Sequence, residues 1–211
     1  MREYIGVDLI PGPGVDMVAK GEEVDFADGA FDCSISCECF EHNPNWEETF
    51  LNMHRMTRPG GFVVVSCAGK GRLEHGTRRT EPNESPGTQA SGSDYYKNLK
   101  PNHLNKLDLR KLFERHLIIE NRFSKDLYFV GEVKGSYKAR QIEWEEGLLR
   151  KTIIDKTTRM HRTKPFAFRV MRSIKHAPLD FMSNLPDRLF QNFALPYQKM
   201  SLKIKSAIIG K

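Results

Sequence analysis

The sequence predicts an α/β fold, and this prediction rests on the stretch from Phe31 to Ala68. Phe31 to Cys37 is a β-prone run, about Trp46 to Met56 has a helical pattern, and Phe62 to Cys67 is continuously apolar. A strand, a helix and a buried strand in this order form a βαβ unit with parallel strands and a right-handed crossover. Because so apolar a strand is typical of a sheet covered on both faces, we expect a three-layer arrangement.

The same unit predicts where a ligand binds. Arg58 to Gly61 is expected to turn the chain tightly into the second strand. In α/β sheets, ligands bind beyond the carboxyl ends of the strands. We therefore expect Cys37, Glu38 and His42 on a functional rim, together with Ala68-Gly69 after the second strand.

The N-terminal residues predict two short strands, Tyr4 to Asp8 and Val15 to Val18. The intervening Gly12-Pro13-Gly14 lacks the third glycine and the following helix of a dinucleotide fingerprint, so it is interpreted as a turn. Asp8 comes directly after a predicted strand, where a carboxylate can accept hydrogen bonds from two ribose hydroxyls. An exposed acid at a strand end is the alternative.

The cysteines predict a reducing environment and no metal. The four cysteines lie in or beside the two predicted strands: Cys33, Cys37, Cys39 and Cys67. A disulfide framework is therefore not expected, and we expect a cytoplasmic protein with free thiols. Small buried side chains are favoured over metal ligands. No apolar run reaches the length of a membrane span, and no signal peptide is recognisable.

The segment after Gly69 changes in character. Lys70 to Ser93 is polar and rich in Gly, Pro and Thr, which favours a lid or substrate loop over disorder, and we assign residues 70–96 to it. His75, Tyr95 and Tyr96 are the candidates for substrate contact. Solvent exposure of His75 and simple packing of the tyrosines are the alternatives.

The next residues predict a helix and a hairpin. Asn102 to His116 shows a helical apolar face, and Ile118 to Phe123 and Leu127 to Val133 indicate two strands joined by Ser124 to Asp126. We assign residues 1–137 to one α/β domain, with this antiparallel hairpin closing one edge of its sheet.

Residues 138–211 are predicted to form a basic helical extension. A helix is expected from Lys138 to about Met160. Residues 151–211 hold 13 Lys and Arg against 3 Asp and Glu, and short amphipathic helices are expected between prolines 165, 178, 186 and 196. Such helices suit an anionic membrane surface or an acidic partner; nucleic acid is not favoured. A helical appendage packed on the domain is the plain alternative.

Four blocks of sequence together resemble a class I S-adenosylmethionine-dependent methyltransferase of the type-11 family. They are Tyr4-Ile5-Gly6-Val7-Asp8, Val24-x-Phe26-x-Asp28-Gly29-x-Phe31-Asp32, Ser36-Cys37-Glu38-Cys39-Phe40-Glu41-His42, and Arg55-Met56-x-Arg58-Pro59-Gly60-Gly61. The resemblance implies a Rossmann-like sheet and S-adenosyl-L-methionine as cofactor. It covers residues 4–68 well and residues up to 133 loosely.

The resemblance also implies roles for single residues. Asp8, with Leu9 beside it, would hold the ribose of the methyl donor, and Gly21 and Glu22 would lie against the adenine. Cys37 and Glu38 would line the methionine side. In the Glu-His pair, His42 is a candidate base, although in this family the pair is more often architectural.

Two departures from the family pattern stand out. Lys20 or Gly21 falls where an acid usually contacts the adenine. The resemblance begins at the second strand of the fold, so the first strand and its GxGxG turn have no counterpart. A sheet with an unmended gap is not expected, because unpaired buried backbone is costly. Three alternatives stay open. The sequence is an N-terminally incomplete copy of a methyltransferase, or the strand is supplied by the tail or by a second chain in a homo-oligomer, or the sheet closes up and donor binding is lost.

The sequence therefore predicts a methyltransferase that acts on an oxygen of a small molecule or glycan. Direct attack of the acceptor on the sulfonium methyl is expected, helped mainly by positioning. His42, His75 and Tyr95 are the candidate catalytic residues. A catalytically degenerate protein of the same fold, which binds a partner through its basic tail, is the alternative. The acceptor itself is not predicted.

Overall fold

The computed structural model describes residues 4–135, 145–162 and 164–209. The strands are β1 (Val7–Asp8), β2 (Met17–Val18), β3 (Phe31–Cys37), β4 (Thr57–Ala68), β5 (Phe113–Glu120) and β6 (Asp126–Val133). The helices are α1 (Trp46–Met56), α2 (Pro86–Ala90), α3 (Pro101–Leu104), α4 (Leu109–Leu112), α5 (Glu146–Arg162), α6 (Phe166–Met182) and α7 (Asp187–Ile209). The expected helix start at Lys138 lies outside the described residues.

Four strands form the main sheet in the order β3-β4-β6-β5. β3 and β4 are parallel, with Ile35 opposite Val64, whereas β6 is antiparallel to both β4 and β5. The segment 58–61 falls in a register shift between the pairs Phe31–Thr57 and Cys33–Phe62, so the predicted turn is a bulge inside β4. The predicted α/β class with a C-terminal antiparallel hairpin and a helical tail is confirmed.

Helix α1 crosses from β3 to β4 and forms the centre of the core. Trp46, Phe50 and Met53 recur at helical spacing and are buried, and they cluster with Val63 and Val65 of β4. The start and end of α1 agree with the predicted helix.

The sheet is covered unevenly. Along β4, Val63, Val65 and Cys67 are buried, whereas Val64 and Ser66 on the other face are only partly buried. Burial on both faces of this strand was expected, but in the described part of the chain only one face is fully buried.

The two N-terminal strands stand apart from the main sheet. β1 and β2 pair in parallel with each other, and the Asp16 carboxylate accepts a hydrogen bond from the Gly6 amide. No strand of the described residues pairs with the outer edge of β3. Within the described residues the sheet is therefore neither closed up nor completed by a strand of the tail, whereas completion by a second chain stays a prediction. Because four of the seven β3 residues are exposed and the other three are only partly buried, water can reach its edge, and the cost of unpaired buried backbone does not arise.

Two further predictions, the burial of all four cysteines and the helix over residues 102–116, are wrong. Cys33 and Cys37 are exposed rather than buried, because β3 is an edge strand. Cys39 in the turn after β3 is also exposed, whereas Cys67 on β4 is buried. The helix expected over residues 102–116 breaks at Asp108, which has a φ of 49°, and strand β5 already begins at Phe113. Pairing with β6 overrides the helical pattern there.

The basic extension packs on the α/β domain. Leu179 of α6 forms a buried cluster with Phe190 and Ala194 of α7, and Leu73 of the lid packs against it. Pro178 and Pro196 lie inside these helices, so the expected short helices are instead two long ones. None of the helices in the described ranges combines the length and hydropathy that a membrane span needs.

Candidate functional site at the carboxyl edge of the sheet

The predicted rim exists because β3 and β4 run parallel and end at the same edge. After Cys37 the chain turns sharply at Glu38, which has a φ of 51°, a left-handed conformation uncommon for any residue except glycine. The Glu38 amide donates to the Ser66 carbonyl, and its carboxylate lies 3.2 Å from Ser66 Oγ and 3.8 Å from Arg72. This turn directs the following residues inward.

Beyond this turn lies a buried group that we call the Glu41 cluster: Glu41, His42 and His75. Glu41 is fully buried and His42 is buried, whereas His75 is partly exposed. One ligand-type atom of each residue lies within 4.8 Å of the others, and His75 Nε2 is 3.9 Å from Glu41 Oε1. The structure therefore brings together His42 and His75, which are 33 positions apart in the sequence.

Burial dominates the electrostatics of this cluster. It raises the pKa of Glu41 to about 7, with a further contribution from Glu38; the nearby backbone amides of Glu41 and Ala68 act in the opposite direction, although neither reaches hydrogen-bond geometry with the carboxylate. Burial also lowers the pKa of His42 to about 4, aided by the nearby His75. Both side chains thus favour their neutral forms near pH 7 more than exposed groups do.

The two tyrosines of the lid segment differ in their surroundings. The Tyr96 ring lies 5.4 Å from the His42 ring and 5.1 Å from the His75 ring, and its hydroxyl is 3.1 Å from the Leu73 carbonyl oxygen and from Asn98 Oδ1. Tyr95 is half-buried, and burial raises the pKa of its hydroxyl. Tyr96, rather than Tyr95, has its ring against the cluster.

Asp8 lies on the exposed side of the rim. Its Oδ1 accepts a hydrogen bond of 2.6 Å from the Leu9 amide, with the Ile10 amide at 3.4 Å. A methyl group placed on Gly87 of α2 would lie 3.1 Å from that same oxygen. The lid segment therefore packs directly beside Asp8 and Leu9.

Glu22 is held in a hydrogen-bond network. Its carboxylate accepts from Asn45 Nδ2 at 2.8 Å, Thr49 Oγ1 at 2.9 Å and Asn43 Nδ2 at 3.3 Å. Burial opposes ionisation, but these bonds outweigh it and lower the pKa of Glu22. The preceding Gly21 packs so closely on Thr49 that a methyl group would lie 2.5 Å from Thr49 Cγ2. This loop and the start of α1 are thus firmly connected.

A cavity of about 1190 Å³ opens next to the Glu41 cluster. Its walls come from the β5–β6 turn, from helices α6 and α7, and from the lid, which contributes Lys70 to His75, Thr80, Glu81 and Glu84. It lies beyond the ends of β4 and β5, where ligands bind in sheets of this kind. His75 lines the cavity and also belongs to the cluster, so the two are adjacent.

Comparison with protein families identifies the segment that carries the rim. Residues 5–65 match the family model described as a methyltransferase domain. This segment is therefore similar to methyltransferase domains. The resemblance to a class I S-adenosylmethionine-dependent methyltransferase of the type-11 family is confirmed. We call residues 5–65 the methyltransferase segment.

Curated relatives match the same part of the chain. An uncharacterized methyltransferase of Mycobacterium leprae is 39% identical over 61 residues, which is 29% of this chain and 23% of that protein. Phosphoethanolamine N-methyltransferase 2 of Caenorhabditis elegans is 37% identical over 46 residues, 22% of this chain and 10% of that protein. The chain thus spans less than a quarter of the length of either relative.

Solved methyltransferase structures are similar over a longer stretch but at low identity. Haemonchus contortus phosphoethanolamine N-methyltransferase 2, in complex with phosphomonomethylethanolamine and S-adenosylhomocysteine, shows 15% identity and a TM-score of 0.41, covering 58% of this chain and 38% of that one. Burkholderia thailandensis 1,6-didemethyltoxoflavin-N1-methyltransferase shows 15% identity and a TM-score of 0.40, covering 61% and 60%.

Sequence patterns alone did not single out Glu41 as a buried member of the site. Its position beside His42, just after a strand, was the available signal. Nothing local connects this pair with His75, which comes after β4. Only the parallel pairing of β3 with β4 places the two segments side by side.

Proposed function

We propose that this chain carries part of an S-adenosylmethionine-dependent methyltransferase and transfers a methyl group to an oxygen of a small molecule or glycan. The match of the methyltransferase segment to its family supports the proposal most strongly. The curated relatives named above are methyltransferases by name.

The exposed side of the rim is our candidate donor site. Asp8 has one oxygen occupied by its own turn, which leaves Oδ2 for the ribose hydroxyls of S-adenosylmethionine. Leu9, Gly21 and Glu22 form the proposed adenine side, and the exposed Cys37 with Glu38 forms the methionine side. Glu22 serves here by fixing the loop against α1.

Catalysis in this proposal comes mainly from positioning. The donor supplies an electrophilic methyl group, and the protein must hold the acceptor oxygen in line with it. The lid approaches both sides of the rim, since Gly87 packs on Asp8 and Gly76 on His42. His42, His75 and Tyr95 are the proposed contacts for the acceptor, which the neighbouring cavity can accommodate.

Calorimetric titration with S-adenosylmethionine and S-adenosylhomocysteine tests the donor site. The chain should bind both, and Asp8→Ala should weaken binding by roughly 10-fold or more, since a carboxylate that accepts from a hydroxyl is worth about 1.5–3 kcal/mol. Asp25→Ala, which removes another exposed acid of the same segment, should leave binding unchanged. Absence of binding by the folded wild-type chain at millimolar ligand would contradict the proposal.

We further propose that the basic extension binds an anionic membrane surface. Phe166, Val170 and Ile174 recur every four residues along α6 and are exposed, next to Arg169 and Lys175. Exposed apolar residues flanked by cations are typical of helices that lie in a lipid interface. The four free cysteines fit the cytoplasmic setting expected from the sequence.

Vesicle sedimentation tests this surface. The chain should sediment with vesicles containing phosphatidylserine and less with neutral ones, and Ile174→Glu should reduce binding by about 10-fold because it places a charge in the apolar stripe. Leu148→Glu, at a site on α5 that is 56% exposed against 68% for Ile174, is the matched control and should have little effect. Equal binding by the Ile174 and Leu148 variants would contradict the assignment to α6.

A further inference from the structure

The Glu41 cluster contains buried polar atoms that lack hydrogen-bond partners, and methyl transfer by positioning gives no reason for them. Both carboxylate oxygens of Glu41 and Nδ1 of His42 are buried and lack a hydrogen-bond partner within the described residues. Buried polar groups are nearly always hydrogen-bonded, because an unpaired one loses its hydration without compensation. Three such atoms in two adjacent side chains therefore point to a ligand.

We propose that Glu41, His42 and His75 bind a divalent transition-metal ion. A carboxylate and two imidazoles are a common ligand set for such ions in proteins. The three side chains already converge, with one ligand-type atom of each within 4.8 Å of the others. The ion would balance the negative charge of Glu41 and engage the unpaired atoms. The cysteine pattern predicted no metal site, and none of these three ligands is a cysteine.

A hydrogen bond fixes the tautomer of His75 that metal binding needs. Its Nδ1 lies 3.1 Å from the Leu73 carbonyl oxygen, and since a carbonyl can only accept, Nδ1 must carry the proton. In the neutral ring, Nε2 then presents its lone pair, and Nε2 is the atom nearest Glu41 Oε1. Metal-binding histidines usually donate their second ring N–H to a carbonyl or carboxylate in this way.

The spacing requires only a modest contraction. Ligand atoms bonded to one ion at about 2.0–2.2 Å lie about 3.0–3.5 Å from each other. Glu41 and His75 are 3.9 Å apart at present, and no pair exceeds 4.8 Å. His75 lies in the lid segment and is partly exposed, so side-chain rotation there can close the remaining distance without moving the buried core.

The ligand set also indicates the class of ion. Two imidazole nitrogens suit zinc, copper, iron or nickel, whereas magnesium and calcium prefer oxygen ligands throughout. Three protein ligands leave at least one coordination position open, as in catalytic rather than structural metal sites. The cavity lined by His75 gives an exogenous ligand access to that position.

The open position deepens the proposed function at one point, and this step alone rests on that function. An acceptor hydroxyl bound to the ion would lose its proton to solvent more readily, because a divalent cation lowers the pKa of a bound oxygen. The resulting oxyanion attacks the methyl carbon, and the electron pair of the breaking carbon–sulfur bond stays on sulfur. Here His42 is a metal ligand, so it is not the base.

Metal binding can be measured on the full chain without the methyl donor. Chain freed of metal with a chelator would be titrated with zinc chloride, and bound zinc counted by mass spectrometry after gel filtration. We expect one zinc ion per chain, unaffected by excess magnesium. His75→Ala and Glu41→Gln should each weaken zinc binding by more than about 100-fold, since even residues that only support ligands contribute 10–100-fold.

His103→Ala and His116→Ala are the controls, because both remove histidines outside the cluster and should leave zinc binding intact. Circular dichroism of every variant establishes that it is folded, and His75→Ala, in the partly exposed lid, carries the test if Glu41→Gln does not fold. Absence of a bound ion in the folded wild-type chain, or equal binding by the His75 and His103 variants, would overturn the proposal.

Donor binding provides an independent comparison. If zinc binds and S-adenosylmethionine does not, the metal site stands and the proposed function fails. If S-adenosylmethionine binds and zinc does not, the metal site alone is wrong.

Discussion

The two sides of the rim treat their acidic side chains in opposite ways. On the exposed side, Glu22 accepts three hydrogen bonds and Asp8 accepts from the backbone of its own turn. On the buried side, Glu41 is fully enclosed, and neither of its oxygens has a hydrogen-bond partner within the described residues. The first pattern is stable by itself, whereas the second is costly unless a ligand completes it. The unsatisfied side is therefore the more informative guide to what the protein binds.

The difference has its origin in the packing beneath each side. Glu41 follows Phe40, which is fully buried against Trp46 and Phe50 of α1. Asp8 instead ends a two-residue strand outside the main sheet, and the main sheet itself has a free outer edge at β3 in the described part of the chain. A rigid core can hold polar groups in an unfavourable environment, whereas an exposed edge cannot.

The largest expected effect tests whether the core under Glu41 is packed more rigidly than the exposed edge of β3. Phe50 is fully buried and packs against the rings of Phe113 and Phe129, so Phe50→Ala should lower the free energy of unfolding by about 3–5 kcal/mol. On the open edge, Ile35 is 64% exposed, and Ile35→Ala should change the same quantity by less than about 0.5 kcal/mol. Chemical denaturation measures both. Similar losses for the two variants would show that the β3 edge is as well supported as the core.

A smaller effect tests whether the lid lies on the Glu41 cluster. A methyl group on Gly76 would come within 2.5 Å of Ser85 Cβ and 2.9 Å of His42 Cε1 at a φ of 67°. Gly76→Ala should therefore lower the unfolding free energy by about 2–3 kcal/mol through combined overpacking and backbone strain. Gly92→Ala is the matched control, with a φ of 75° and open space around the added methyl, and should cost about 1 kcal/mol.

Equal losses for these two glycine variants, measured by thermal unfolding, would mean that the lid does not press on His42 in solution.

The smallest expected effect concerns Glu22, whose carboxylate is hydrogen-bonded on the exposed side of the rim. Glu22→Gln should lower stability by about 1 kcal/mol at neutral pH, because the amide is a weaker acceptor for Asn43, Asn45 and Thr49. The pKa of Glu22 is lowered in the folded chain, so its contribution is present above the unfolded value of about 4.3 and is lost as the pH falls through the folded value. The difference between wild type and variant should therefore shrink as the pH falls below about 4. A difference that stays constant down to pH 2 would contradict the role of the ionised carboxylate.

Local sequence patterns determined much of the fold. Strand Phe31–Cys37 and helix Trp46–Met56 were predicted with their observed ends, since a β-prone run and a helical apolar spacing are properties of neighbouring residues. The sequence blocks from Tyr4 to Gly61 likewise carried the methyltransferase resemblance, which the family match over residues 5–65 confirms. The hairpin was also predicted, although β5 begins at Phe113, five residues earlier than expected.

Only the tertiary structure decided which polar groups are buried together. The exposure of Cys33 and Cys37 depends on β3 being an edge strand, and the break at Asp108 depends on the pairing of β5 with β6. Above all, the contact of Glu41 and His42 with His75 exists because β4 returns parallel to β3 and releases the lid at the same edge. Burial and long-range contact are properties of the packed chain, and no local pattern in the sequence contains them.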